Sequence, residues 1–478
     1  MNASTITVHW HNDNQPIYLV DFQPPHRDQQ LKRLVTGGGD NNIRIWQLHI
    51  REGNAPTIDY VSTLRKHTQA VNVVRFNSRG DLLATASDDG TLMLWRRSPT
   101  IIKELDDDED DNPLESWQVV CQVRSSTSEI NDICWSPDDS FIVTGSMDNV
   151  MRIYKFTYGS KITATLVASS TEHSHYLQGV HWDPLNQYIV SQSADRTVNI
   201  YTFCDNVLKL QQKLSKHNNQ HLYYSETLQS FFRRLCFSPD GAIILTPAGM
   251  DDQENPIVYV FTRNNLATPS FKITGLNKPA IAIAFNPIRY VSEPGLFNLP
   301  YKYIFAIATK DSIVIYSTEK LVPIGYVSNL HYSTITDLKW DFDGSKIIVS
   351  SADGFCSVVT VEANLLGEKY EPTNKDDVNN ESPDVEMVDV CANEEDKVKK
   401  DIDQPSTTAK SVDFDNGPKE KPVTESKPEQ TTPQKPTNEA TSASSQPGTI
   451  DSFFSPNSKS KAKPKKAKKR IAPTLVLN

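Results

Sequence analysis

Leu83-Ala-Thr-Ala-Ser-Asp-Asp-Gly-Thr-Leu-Met-Leu-Trp95 is a short apolar and small-residue run, an aspartate turn, and an alternating run that ends in an aromatic residue. The same plan recurs in Leu34-Val-Thr-Gly-Gly-Gly-Asp-Asn-Asn-Ile-Arg-Ile-Trp46, in Val143-Thr-Gly-Ser-Met-Asp-Asn-Val-Met-Arg-Ile-Tyr154 and in Val190-Ser-Gln-Ser-Ala-Asp-Arg-Thr-Val-Asn-Ile-Tyr201. In each, the turn aspartate stands six residues before the aromatic: Asp40, Asp89, Asp148 and Asp195. The plan is that of a β-hairpin. Small residues let backbones approach, an aspartate side chain bonds the amides of its own turn, and alternation sends every second side chain to one face. Upstream of three of these hairpins lies a further strand and turn, in Val73-Val-Arg-Phe-Asn-Ser-Arg-Gly80, Ile133-Cys-Trp-Ser-Pro-Asp-Asp139 and Val180-His-Trp-Asp-Pro-Leu-Asn186.

Four strands per unit is the blade of a propeller. Three weaker units follow. They run from Leu235-Cys-Phe-Ser-Pro-Asp-Gly241 to Tyr259-Val-Phe261, from Ile283-Ala-Phe-Asn-Pro287 to Ile315-Tyr316, and from Leu338-Lys-Trp-Asp-Phe-Asp-Gly344 through the turn at Asp353 to Val358-Val359. The total is seven. Thr5-Ile-Thr-Val-His-Trp10 alternates like a strand and is expected to complete the last blade, leaving the ring no open end. The chain therefore reads as all-β: a seven-bladed WD40 β-propeller over residues 1–365, with an acidic insertion at 104–116, followed by a tail at 366–478. Within the insertion, Glu104-Leu-Asp-Asp-Asp-Glu-Asp-Asp111 reads as a solvated, self-repelling loop.

The tail is different in composition. Asp, Glu, Lys, Pro, Ser and Thr dominate it, and its aromatics are Tyr370, Phe414, Phe453 and Phe454. Such a segment cannot bury enough apolar surface to offset its ordering entropy and is expected to be disordered. It holds 18 basic and 20 acidic residues, a net −2 of the chain's −10, which leaves −8 on the preceding residues. A propeller of that sign is suited to basic partners and not to sequence-independent DNA binding. Sequence-specific DNA contacts are not expected either. The chain has no run of about 18 apolar residues, so no membrane span is expected, and its first residues lack the pattern of a signal peptide. Six scattered cysteines form no C-x-x-C pair and read as incidental thiols, neither zinc ligands nor a disulfide framework.

No catalytic arrangement is legible. Phosphate-binding glycine loops, the G-x-S-x-G elbow and H-E-x-x-H are all absent. The aspartates at 40, 89, 148, 195 and 353 read as turn supports and not as a carboxylate cluster. His173 and His175 lack further ligands at metal spacing and read as loop or blade-opening residues. In Phe231-Phe-Arg-Arg234 the phenylalanines are expected in a strand core, and Arg233 and Arg234 at the surface or in an ion pair. No cofactor, no metal and no enzyme activity are expected.

Other stretches go beyond what a generic blade requires. His175-Tyr-Leu-Gln-Gly-Val-His-Trp-Asp-Pro-Leu-Asn-Gln187 and Ser191-Gln-Ser-Ala-Asp-Arg196 resemble the fourth blade of the mid-sized WD subunit of chromatin assembly factor. Ser230-Phe-Phe-Arg-Arg-Leu235 with Leu245-Thr-Pro-Ala-Gly249 is similar to the same family's fifth blade. Leu299-Pro-Tyr-Lys-Tyr303, Gly325-Tyr-Val-Ser-Asn-Leu-His-Tyr332 and Ser351-Ala-Asp-Gly-Phe-Cys-Ser357 continue the match. The resemblance implies a nuclear, non-catalytic subunit of a histone chaperone complex that deposits histones H3–H4 on newly replicated DNA. Its partners would be a large subunit, a small WD-repeat subunit and the anti-silencing histone chaperone. Two other readings stand beside it. One is a HIRA-type regulator of replication-independent deposition, a usually longer protein with a second folded region after the propeller. The other is a substrate adaptor of a ubiquitin ligase, for which no docking helix is visible before residue 16.

Three tail segments carry motif readings. Lys459 to Arg470 holds eight basic residues, and Lys463, Lys465, Lys466, Lys468, Lys469 and Arg470 read as a nuclear import signal. In segment 449–454, Ile450, Phe453 and Phe454 have the spacing of a sliding-clamp plug, although Pro447 stands where the motif has Gln. Segment 469–475 resembles the short motif with which this family and the HIRA-type regulators grip the anti-silencing chaperone. Ile471 and Leu475 would fill pockets, Pro473 would stiffen an extended strand, and Lys469 and Arg470 would meet acidic groups.

Overall fold

A computed structural model describes residues 1–25, 32–50, 55–101, 112–225, 230–293, 295–297 and 299–371, together with the backbone of Thr474–Val476. Seven antiparallel blade sheets succeed one another along the chain, with a two-stranded hairpin of Lys216–His217 and Gln220–His221 between the fourth and the fifth. Blade one is built from Ile17–Phe22, Arg33–Gly38, Ile43–His49 and Thr57–Leu64, bonded in chain order from the innermost strand outward. Blades two to seven begin on inner strands Val71–Phe76, Ile130–Trp135, Leu177–Trp182, Cys236–Phe237, Ala280–Val291 and Ile335–Trp340. The apolar faces of neighbouring blades close on each other, and one buried cluster runs from Leu19 of blade one through Val74 and Trp95 of blade two to Ile133 of blade three.

The ring is closed by the start of the chain. Asn2–Ile6 pairs antiparallel with Cys356–Thr360 as the outer strand of blade seven, with Asn2 opposite Thr360 and Ile6 opposite Cys356. The closing strand thus lies earlier than the alternation of Thr5–Trp10 predicts. Strand pairing stops at Ile6 because Trp10 is drawn into the core. Its ring is fully buried, donates to the Ile6 carbonyl and packs edge-on against Trp46 at 5.1 Å between ring centres.

An innermost strand has one unpaired edge, whose N–H and C=O groups need partners. The sequence supplies them by one repeated device. In six blades the inner strand carries a bulge at its second residue, and a bulge re-aims the extra side chain. From that position Asn72 donates to the Ile130 carbonyl of blade three at 3.0 Å, and Asn131 to Leu177 of blade four at 2.7 Å. Gln178 donates to Ser230 ahead of blade five at 3.0 Å, and Thr336 to Ile17 of blade one at 2.5 Å. Each of these residues clasps the next blade. A second set serves the amides. Phe76 N–H donates to Asp21, and Val180 N–H to Asp132. Gly179 belongs to this seam, since a Cβ there would lie 2.1 Å from the Arg233 carbonyl oxygen.

Arg233 and Arg234 are not at the surface, being 0% and 4% exposed. The Arg233 guanidinium donates to the carbonyls of Tyr224 and Ser225. Arg234 crosses the axis, donating to Thr336 of blade seven at 2.9 Å and to Asn72 of blade two at 3.3 Å, with its guanidinium 4.2 Å from the centre of the Phe232 ring. Phe231 and Phe232 are buried but precede the short inner strand of blade five. The insertion also ends earlier than expected. Leu114 N–H bonds the Val61 carbonyl, and Glu115 is buried against Arg33 of blade one, so 113–116 is part of the packed structure.

Candidate functional site

Polar side chains cluster in three kinds of place, and the first is the seam at the hairpin turns. Asp40, Asp89, Asp148, Asp195 and Asp353 each accept the amide two residues on, from Asn42, Thr91, Val150, Thr197 and Phe355. Their second task is a relay across the blade. In blade two His67 Nδ1 lies 3.0 Å from Asp89, His67 Nε2 lies 2.8 Å from Thr85 Oγ1, and Trp95 Nε1–H donates to that same hydroxyl oxygen at 2.9 Å. Blade one repeats this with His11, Asp40, Thr36 and Trp46. Blade four keeps the histidine part, with His173 3.0 Å from Asp195 and 2.7 Å from Ser191, while its aromatic, Tyr201, accepts from Ser170 and Asn199. One neutral tautomer satisfies all the groups: the indole donates to the hydroxyl, the hydroxyl to Nε2, and Nδ1–H to the carboxylate.

The electrostatics agree. Burial alone would raise the Asp40 carboxyl, but the His11 bond and charge, the Asn12 amide and Arg44 hold it down at about 2. Asp89 and Asp195 are likewise held well below the usual carboxylate range. Burial pushes His11 below its ordinary value against the pull of Asp40. In blade seven, Val349 and Val359 stand where the hydroxyl and the aromatic would be. His331 still reaches Asp353 at 3.2 Å, but its buried Nε2 has no hydrogen-bond partner among the described residues. These histidines are braces, not ligands. Each of the last three stands 22 residues before its aspartate: His67, His173 and His331. Ser126 replaces the histidine in blade three at the same spacing.

A direct consequence concerns Thr85. Replacing it by Val leaves the Trp95 N–H and His67 Nε2 buried without partners, at about 1–3 kcal/mol each. Thr85→Val should therefore lower the urea midpoint by the equivalent of about 2–6 kcal/mol, whereas Thr85→Ser should change it little. Equal stability of Thr85→Val and the parent would show that the relay is incidental.

The second place is the axis, at the face opposite the aspartate turns. A cavity of about 420 Å³ is lined at depth by Asp21, Arg75, Asp132, Arg234, Asp337 and Lys339, and toward its mouth by residues of the strand-to-turn segments such as Trp135, Pro137, Phe237 and Pro239. The charges pair with one another: Lys339 with Asp21 at 3.0 Å, Arg75 with Asp337 at 3.5 Å, and Arg234 with Asp132 at 3.9 Å. Burial pushes the Asp132 carboxyl up against the field of Arg234 and Arg75. Three carboxylates face three cations, and the carboxylates of Asp21 and Asp132 are engaged by amides of the next blade. The arrangement cements blades. Among the described residues no group of three or more His, Cys, Asp or Glu could hold a metal ion, and no helix is long and apolar enough to cross a membrane.

The third place is the tail. Ile450, Phe453, Phe454, the lysines at 463, 465, 466, 468 and 469, Arg470, Ile471 and Pro473 lie outside the described residues. Leu475 lies within them, in Thr474–Val476, which forms a fifth strand on blade six.

Comparison with known proteins adds the relationship. The family model of the CAF1B/HIR1 beta-propeller domain matches residues 1–366. The B subunit of chromatin assembly factor 1 from Schizosaccharomyces pombe is 39% identical over 466 residues, covering 77% of this chain and 89% of that protein. The Saccharomyces cerevisiae protein of the same name is 37% identical over 423 residues, covering 78% and 88%. Protein HIRA of Oryza sativa is 30% identical over 390 residues, covering 76% of this chain but 38% of that protein. With its seven bladed sheets and this extent of matching sequence, the chain belongs to the CAF1B/HIR1 β-propeller family, among the relatives named for the chromatin assembly factor.

Proposed function

We propose that the chain is the propeller subunit of a chromatin assembly factor: a non-catalytic scaffold in a histone chaperone complex that deposits H3–H4 on newly replicated DNA. The observation that carries this reading is the matching of almost nine-tenths of two fungal relatives from that complex at 37–39% identity. The architecture supports it. The histidines of the relays are spent on bracing single blades and the aspartates of the axis on joining neighbouring ones, which makes a rigid ring suited to display and not to turnover. The HIRA-type reading is less well supported, since those relatives are 25–30% identical and are matched over less than half their length.

In this role the ring joins a large subunit and a small WD-repeat subunit, and H3–H4 reaches the complex through the anti-silencing chaperone. That chaperone is held by Lys469, Arg470, Ile471, Pro473 and Leu475. The basic run ending at Arg470 directs the chain to the nucleus. A reporter fused to the tail should lose its nuclear signal when Lys465, Lys466, Lys468 and Lys469 become Ala, and an unchanged signal would refute the import role. Purification of the full chain from its own cells tests the wider reading. The large subunit and H3–H4 should co-purify in stoichiometric amounts. Recovery of ubiquitin-ligase components in their place would overturn it in favour of a substrate adaptor.

A further inference from the structure

The outer strand of a propeller blade is an open edge, a template for another strand. Among the described residues, the sheet of blade six alone has five strands. Its outer strand, Pro323–Ser328, is covered by Thr474–Val476 in antiparallel register: Val476 opposite Tyr326, Leu475 opposite Val327, and Thr474 opposite Ser328. The intervening chain does not dictate this position. Residues 372–473, at about 3.3 Å per residue when extended, reach far beyond the width of the ring, so the edges of the other blades lie equally within range.

We propose that the outer edge of blade six is a strand-accepting surface whose resident ligand is the chain's own Thr474–Val476. This rests in part on the partner reading given above, because the docked residues overlap the segment assigned to the chaperone, including Leu475. An extended segment bound by strand addition gives one of its two hydrogen-bonding edges to the accepting sheet. A segment seated on blade six is covered along that edge and held against the ring, so a partner that takes the same residues into its own groove must first displace them. The tail therefore has two exclusive states. In one it is folded back on blade six, and in the other it is released to the partner. Partner affinity is reduced by the fraction of chain that is folded back. A strand from elsewhere in the assembly that occupied blade six would release the tail and strengthen partner binding.

Ser328 and Thr474 are register partners of small size, and directly opposed residues of an antiparallel pair are within disulfide reach. The test uses the full chain carrying Cys204→Ser and Cys391→Ser, with Ser328→Cys and Thr474→Cys added. A control pair joins Ser328→Cys with Ser458→Cys. Mild oxidation should link the 328/474 pair within the chain and leave the control largely unlinked. The linked chain should bind the anti-silencing chaperone at least about tenfold more weakly than the same chain after reduction. Equal linking of both pairs, or none, overturns the docking. Equal chaperone binding by linked and reduced chains overturns the exclusivity. If the reduced chain does not bind the chaperone at all, the partner reading fails, while the docking shown by register-specific linking stands.

Discussion

Arg33→Ala should destabilise the ring by about 3–5 kcal/mol, the usual cost of removing one partner from a buried ion pair. The Arg33 side chain is 1% exposed, and its guanidinium meets both Glu115 oxygens at 2.8 Å while donating to Gln23 at 3.0 Å. Trp117 Nε1–H donates to the same carboxylate at 2.9 Å. Blade one is thereby tied to the segment that leads into the outer strand of blade two, directly after the acidic insertion. Without Arg33, the counter-charge left to Glu115 among the described residues is the half-exposed Arg97 at 3.7 Å. The pair is best separated from general packing by a double-mutant cycle. Arg33→Ala with Glu115→Ala should cost clearly less than the sum of the two single changes, measured by chemical denaturation. Additive losses, or a loss below about 1 kcal/mol for Arg33→Ala, would mean that the pair is not what holds the segment.

A peptide spanning residues 462–478 should bind the anti-silencing chaperone at micromolar strength, and Arg470→Ala with Ile471→Ala should reduce that binding by well over tenfold. Burial of Ile471 and Leu475 is worth about 3–6 kcal/mol gross, and ordering an extended segment costs about 2–5 kcal/mol. A net affinity in the micromolar range then requires main-chain bonds and charge pairing as well. Loss of one of the two aliphatic anchors removes about 1.5–3 kcal/mol, or more than tenfold in affinity, before the lost Arg470 charge is counted. Calorimetry of parent and variant peptides reads this directly. Equal binding by the two would leave only non-specific attraction between a basic tail and an acidic surface.

The blades are legible because each repeats a local rule. The aspartate turn and the aromatic six residues later lie on one hairpin, so Asp40, Asp89, Asp148 and Asp195 mark it without reference to the rest of the chain. The histidine braces were equally present in the sequence, at a fixed 22-residue spacing from their aspartates in three blades. They escape a search for Gly-His because Lys66, Glu172 and Leu330 precede them. Blade five is weak for a physical reason. Its inner strand is only Cys236–Phe237, and its second strand breaks register between Thr246 and Gly249, where Ala248 has φ 54°. The buried arginines could not be read at all. Arg33 finds Glu115 82 residues away, and Arg234 reaches carbonyls 102 and 162 residues away. No local pattern tells such an arginine from a surface one, so the sequence leaves surface and ion pair open for both. Arg234 is in the ion pair, 3.9 Å from Asp132, whereas Arg233 is buried on backbone carbonyls.

A ring that serves as a required, non-catalytic part of replication-coupled histone deposition must be present in stoichiometric amount for deposition to occur. The decisive measurement is a deposition reaction on replicating DNA with H3–H4, the anti-silencing chaperone, and the large and small subunits of the complex, run with and without the full chain. Deposition on newly replicated DNA should fall to background without the chain and return when it is added in stoichiometric amount, scaling with the amount of complex formed. Deposition that proceeds equally well without the chain, or that is restored by catalytic traces of it, would contradict the scaffold role.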